Sequence, residues 1–226
     1  MTLKFSFYNS KIHKLAKHLG LPINSVIAFD LPAGHTCPMA DKCKATANKI
    51  TGRITDGKNM QFRCYAASTE VVFPSARQNR WHNFEELKKS TNMSGLIEES
   101  LPRDVKVVRI HSSGDFFNEK YFEAWCKVAK NHPEINFFGY TKVLPYVKAN
   151  KPDNFKLVYS YGGKLDDKLE NEPVSYVVNS MQDAINKGLP VSCQSDPADD
   201  YDYIMSQKSF ALVIHGMQPK KNKKNE

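Results

Sequence analysis

Seven short apolar runs constrain this chain more than any other feature: residues 26–29, 105–110, 135–138, 155–160, 174–178, 189–192 and 210–214. Each is too short for an ordinary helix, and Val, Ile and Phe dominate them, so each reads as a strand. Their apolar residues run on rather than alternate, as strands covered on both faces require. Between them lie segments with helical spacing. Residues 118–130 place Tyr121, Phe122, Trp125, Val128 and Ala129 on one stripe. Residues 144–149 carry Pro145 near their start, and residues 181–187 stop at Gly188. Earlier in the chain, residues 11–19 and 77–90 also read as helices. Strands alternating with helices imply parallel βαβ units. The expected fold is therefore α/β: a partial or irregular (β/α) TIM-like barrel of about seven mostly parallel strands. At 226 residues the chain suits one domain. Residues 1–219 are read as that domain and 220–226, with four lysines, as a disordered basic tail.

In such a fold the carboxyl ends of the strands share one face, and sites are built there. The residues that follow the strands are chemically loaded. The run His111-Ser112-Ser113-Gly114-Asp115 follows the second strand, and Tyr140-Thr141-Lys142 follows the third. Cys193 and His215-Gly216 follow the last two. After the first strand comes a single excursion that delivers His35, Cys37, Cys43 and Cys64.

The cysteines number five, and no secretion signal precedes them, so a disulfide framework is not expected. Clustered thiols then point to metal or redox chemistry. The spacing C-x5-C-x20-C has no close pair of the kind that a zinc ribbon uses. Cys37, Cys43, Cys64 and Cys193 are read as four ligands of one 4Fe-4S cluster, which spans several ångströms and tolerates wide loops. A 3Fe-4S form is expected after oxidation if one ligand is weak. Zinc, with His35 among its ligands, is the alternative. Cys126, beside Trp125 in a helix, reads as a core thiol. Arg109, His111, Asp115, Tyr140, Lys142, His35 and His215 are candidates to support the metal or touch a small molecule. An arginine inside a strand, as at 109, must be paired or functional. Ser112 and Ser113 read as caps of the following helix. Residues 44–63 read as an inserted hairpin, with Asp56-Gly57 as its turn signal, that covers the site.

Net charge is +8, mean hydropathy is −0.52, and no apolar run approaches the ~20 residues of a membrane span. A cytoplasmic monomer that meets a redox partner or a small molecule, and no membrane, is expected. Arg53, Lys58, Arg63, Arg77 and Arg80, interleaved with Phe62, Tyr65 and Trp81, also allow a weak single-stranded nucleic-acid surface, against the plainer reading of a solvated face.

Four blocks carry a resemblance. Leu31-Pro32-Ala33-Gly34-His35-Thr36-Cys37-Pro38-Met39-Ala40, with Cys43 and Cys64-Tyr65-Ala66, resembles the opening of the phage gene product 88-like family. Arg109 to Phe116, then Phe137 to Lys142, and the terminal Ile214-His215-Gly216 resemble its later blocks. The resemblance implies a viral origin, a place in the infected host cell and a metal centre at the cysteine motif. Two features depart from the family: the long spacing between Cys43 and Cys64, and a region before His215 that keeps only Cys193. A looser likeness is to radical S-adenosylmethionine enzymes, which also set three cysteines after a first barrel strand. Three readings follow: an iron-sulfur protein with a redox or structural role, a radical enzyme with a three-cysteine cluster, and a metal-stabilised nucleic-acid-binding module. No nucleophile triad, P-loop or dinucleotide fingerprint decides whether the chain is an enzyme.

Overall fold

The structure, a computed structural model, describes residues 2–7, 10–192, 198–214 and 218–219. All seven expected strands form within them. In chain order the strands are β1 (Phe5–Ser6), β2 (Val26–Phe29), β3 (Ala45–Ala47), β4 (Ile54–Asp56), β5 (Val107–Ile110), β6 (Asn136–Thr141), β7 (Phe155–Ser160), β8 (Val174–Val178), β9 (Val191–Ser192) and β10 (Phe210–Val213). The helices are α1 (Ser10–His18), α2 (Tyr65–Val72), α3 (Pro74–Lys89), α4 (Met93–Ser100), α5 (Glu119–Asn131), α6 (Leu144–Lys148), α7 (Met181–Asn186) and α8 (Ala198–Met205).

Eight strands make the main sheet, in the order β1-β2-β5-β6-β7-β8-β10-β9. Every pair from β2 onward is parallel, and only the short edge strand β1 runs antiparallel. The order advances in one direction until β10 enters between β8 and β9. No pairing joins β1 to β9 among the described residues, so the sheet is open and barrel closure is not observed.

The packing supplies the reason. Strand side chains alternate between two faces. Ile27, Phe29, Val108, Ile110, Phe137 and Leu157 pack with Leu87 of α3, Ile97 of α4, and Trp125 and Val128 of α5. Val26, Ala28, Val107, Phe138 and Val158 pack instead with Ile12 and Leu15 of α1 and Tyr201 and Ile204 of α8. A closed barrel of this size fills its lumen with strand side chains. Here two helices lie on that face and hold the sheet open. Trp125 is fully buried, with its ring edge-on to Phe29 at 5.5 Å. Burying such a side chain contributes roughly 1.5–3 kcal/mol.

Three local expectations need correction. Asn118, not Ser112 or Ser113, caps α5: its side chain accepts from Tyr121 N at 2.9 Å. The residue 44–63 insertion does form the β3–β4 hairpin, but it reverses over residues 48–53 rather than at Asp56-Gly57. There Asn48 Oδ1 accepts from the amides of Ile50 and Thr51 at 3.0 and 2.9 Å, and Gly52 takes φ +71°. Such an Asx turn competes well for a reversal that a left-handed glycine completes. Helices α2 and α4, absent from the sequence reading, flank α3.

Candidate metal centre

The cysteine excursion is held by two interlocked turns. After β2 the chain bends at Pro32-Ala33-Gly34, where Gly34 has φ +70° and any Cβ would lie 2.1 Å from the Ala45 carbonyl oxygen. Glycine alone satisfies both demands. Leu31 N donates to Ser113 O at 2.9 Å, and Ser113 Oγ donates to Leu31 O at 2.9 Å. The amides of Ser112 and Ser113 in turn donate to Asp30 Oδ1 at 2.7 and 3.0 Å. The turn after β2 and the turn after β5 thus clasp each other, and Cys37 is carried beside Asp115.

Cys43 is placed by a different anchor. Ala40 bridges to Gly163, and the amides of Asp41 and Lys42 donate to Gly162 O at 3.3 and 3.0 Å. Asp166 holds that glycine turn by accepting from Gly162 N, Gly163 N and Tyr159 OH, and Lys42 Nζ donates to it at 2.9 Å. Cys64 precedes the first residue of α2, where the amides of Ala66 and Ala67 face its sulfur.

The three thiols line one cavity of about 180 Å³, together with Arg109, His111, Asp115, Tyr140 and Lys142. Leu212, Val213 and Ile214 also reach it, so it sits at the carboxyl ends of the strands, where the sequence reading placed it. Burial pushes the Cys37 thiol well above its ordinary range, with Asp115, Cys64 and Cys43 adding to the rise. Burial likewise raises Cys64, and Cys43 adds to it, while the Ala67 and Ala66 amides and Lys142 pull the other way. The sulfurs therefore feel one another's charge. Among the described residues, no three His, Cys, Asp or Glu side chains converge tightly enough to hold a single metal ion.

The other expected site residues divide into groups. His111 is buried, its Nε2 is 2.8 Å from Tyr121 OH, and its Nδ1 has no partner. Burial lowers its pKa to about 3, so the ring is neutral. Asp115 accepts from Phe116 N and Thr141 Oγ1, both at 2.7 Å, and from Lys142 N at 2.9 Å. Burial nonetheless raises its pKa to about 6. Lys142 Nζ donates to Ser160 O, Ser160 Oγ and Tyr161 O at 2.8, 2.9 and 2.9 Å. Arg109 is buried with its guanidinium 5.6 Å from the Tyr140 ring centre. Burial works against its charge, but Tyr65, Tyr140, Asp200 and Asp30 outweigh it and the net shift is upward. His35 is not brought to the thiols: it is exposed, bonded to Ala47 O at 3.1 Å and packed 4.9 Å from the Trp81 ring. Cys126 stands apart on α5, packed against the core, where burial raises its thiol to about 11. Cys193, His215 and the basic tail lie outside the described residues.

Sequence reasoning missed the network that braces this site. Glu70 is fully buried and accepts from Ala33 N at 2.8 Å and from Arg80 Nη1 at 3.1 Å. Arg80 also donates to Ala66 O at 3.0 Å and approaches Asp30 at 3.7 Å. Arg77 donates to the carbonyls of Glu70, Lys49 and Ile50. Tyr65 OH donates to Ser112 O at 2.6 Å. A lone glutamate in the mostly apolar segment Ala66–Val72 was the available signal. These contacts correct the nucleic-acid reading: Arg77 and Arg80 are buried, and Arg63 is paired with Asp56, leaving only Arg53 and Lys58 of that set exposed.

Fold and site together define an open, mostly parallel α/β protein with a three-thiol cavity at its strand ends. The family model described as Gene product 88 matches residues 3–226, and the chain belongs to that family. It is 32% identical over 111 residues to the Gene 88 protein of Mycobacterium phage L5, covering 43% of this chain and 46% of that protein. The Gene 88 protein of Mycobacterium phage D29 matches to the same extent. The chain thus spans under half the length of these relatives. The resemblance to the phage family holds, while the radical S-adenosylmethionine likeness gains nothing from these matches. No solved structure matches the chain. No helix among the described residues is long and apolar enough to cross a membrane.

Proposed function

We propose that this is an iron-sulfur protein whose cavity holds a 4Fe-4S cluster through Cys37, Cys43 and Cys64, with Cys193 as fourth ligand. One observation carries the reading. Three separately anchored thiols converge on a cavity that also receives two buried cations, Arg109 and Lys142, neither of which is ion-paired to a carboxylate among the described residues. Asp30 and Asp200 act on Arg109, and Asp115 on Lys142, only at a distance, and a buried charge without a direct partner is costly. A thiolate-ligated cluster is anionic and would offset both cations while relieving the mutual repulsion of the thiolates. The donor set also fits by type and spread: thiolates are the usual cluster ligands, and a cluster accepts sulfurs too far apart for one zinc ion. Bound there, the cluster supplies one-electron redox chemistry. Its ligands would also tie the turn after β2, the loop docked on the turn after β7, and the start of α2. We read the sheet as an opened (β/α) barrel that carries this site on its strand-end face.

The test is anaerobic purification with iron and sulfide assays and electron paramagnetic resonance. Iron and sulfide near four of each per chain, lost on substituting Cys37, Cys43 or Cys64 by Ser and kept in Cys126→Ser, are expected. A colourless, iron-free protein loaded with zinc sinks the proposal. A Cys193→Ala protein that keeps its full cluster removes Cys193 from the ligand set and leaves one iron open, as the radical-enzyme reading requires.

A further inference from the structure

The thiols occupy one part of the cavity, and its wall of β5 and the turn after it has a different chemistry. Arg109, His111 and Ser112 all line the cavity, and all carry buried polar atoms without partners: Arg109 Nε, His111 Nδ1 and Ser112 Oγ. The guanidinium is the informative one. It is 8% exposed, it donates no hydrogen bond to any described residue, and its close company is the face of Tyr140. Buried arginines are ordinarily satisfied by a planar acceptor that takes two parallel N–H donors. That acceptor is missing from the protein's own described residues although the fork faces a cavity.

We infer that Arg109 anchors a second binding site in this cavity, for a small monocarboxylate, with Ser112 Oγ and His111 Nδ1 as further polar contacts. The charge balance favours one negative charge over two. Asp30 and Asp200 both act electrostatically on Arg109, so the phosphate dianion would meet their repulsion. The cavity, at about 180 Å³, admits a molecule of a few heavy atoms beside the thiols. The apolar side chains of Val177 and Leu212 line the same space and suit the carbon skeleton of such an acid. This inference stands on the protein's own groups and does not require the cluster.

Wild type, Arg109→Lys and Arg109→Met, each purified anaerobically, would be titrated with acetate, lactate and inorganic phosphate, against chloride at equal ionic strength. Calorimetry and thermal unfolding read the binding, and visible absorbance records the cluster separately in the same samples. Acetate or lactate should bind wild type saturably and raise its Tm. Binding should weaken about tenfold or more in Arg109→Lys, which keeps the charge but loses the fork, and vanish in Arg109→Met. Without ligand, Arg109→Met should unfold within a few degrees of wild type, because the guanidinium donates no hydrogen bond to a described residue and so does not hold the fold. Absence of saturable binding by wild type overturns the inference, as does Arg109→Met unfolding well below wild type, since the guanidinium would then be serving the fold. Preference for phosphate overturns the monocarboxylate assignment. Repeating the titration on metal-free protein separates the two proposals: carboxylate binding without a cluster leaves this one standing when the other has failed.

Discussion

Acid should loosen this protein through His111, and the size of the effect follows from its burial. The ring titrates near 6.5 when free and near 3 in the fold, because burial disfavours the charged form. Between those values the unfolded chain binds the proton and the folded one does not, so stability rises with pH across the window. The contribution is complete above pH ~6.5 and is lost progressively as pH falls towards 3. The slope is about 1.4 kcal/mol per pH unit, so roughly 2 kcal/mol is lost between pH 6.5 and 5. For a chain of 226 residues that corresponds to a fall in Tm of about 4–8 °C. Asp115 opposes it. Its carboxyl is raised from 3.8 to about 6, so the folded state takes up its proton first and gains stability as pH falls through that range. The wild-type curve alone is therefore blunted, and the comparison with His111→Gln isolates the histidine. Glutamine can still bond to Tyr121 OH but does not titrate. Denaturant midpoints from pH 7.5 to 4.5, at matched metal content, should show wild type losing about 2 kcal/mol more than His111→Gln by pH 5. Parallel profiles for the two proteins would refute the argument.

Glu70→Leu should cost about 3–5 kcal/mol in urea unfolding, since it strands the buried Arg80 and the Ala33 amide. The double variant Glu70→Leu/Arg80→Met should recover much of that loss, and simple additivity of the two single changes would count against a coupled pair. Gly139→Ala should be more damaging than most single substitutions, beyond about 4 kcal/mol, with loss of soluble protein. Its Cβ would lie 1.5 Å from the Ile110 carbonyl oxygen, a backbone atom of the neighbouring strand that no rotamer change can move aside. Cys126→Ser should leave iron content unchanged while shifting Tm by no more than a few degrees, as metal analysis and calorimetry would show.

The seven parallel strands were legible because continuous Val, Ile and Phe runs admit few other readings, and α5, α6 and α7 were marked by spacing and by Pro145 and Gly188, whereas α2, α4 and α8 were not read at all. Barrel closure was not legible. It depends on whether a helix lies over the second sheet face, and nothing in the stripe of Ile12, Leu15 and Ala16 says which surface it will choose. The convergence of Cys37, Cys43 and Cys64 followed from their place after one strand, and Arg109, His111, Asp115, Tyr140 and Lys142 followed from strand ends that share a face. His35 was misplaced because neighbours in a loop need not point the same way; its ring found Trp81 instead. Arg77 and Arg80 looked like surface charges because their acceptors, Glu70 and several carbonyls, come from α2 and the hairpin, and sequence alone does not pair them.

The two helices on the second sheet face also set an order in time. Helix α1 comes before β2 and α8 just before β10, and His18 meets Asp202 at 3.0 Å across 184 positions of chain. Strands β5, β6 and β7 can pair by short local closures, whereas this contact must await nearly the whole chain. Loop closure over that span costs only about 0.6 kcal/mol for each doubling of length, so the delay is kinetic more than thermodynamic. Helix α1 can dock beside β2 early, so the part of this face that bears Phe138 and Val158 should be the last to be covered, by α8. Amides of α8 should accordingly exchange with solvent sooner than those of β5 and β6.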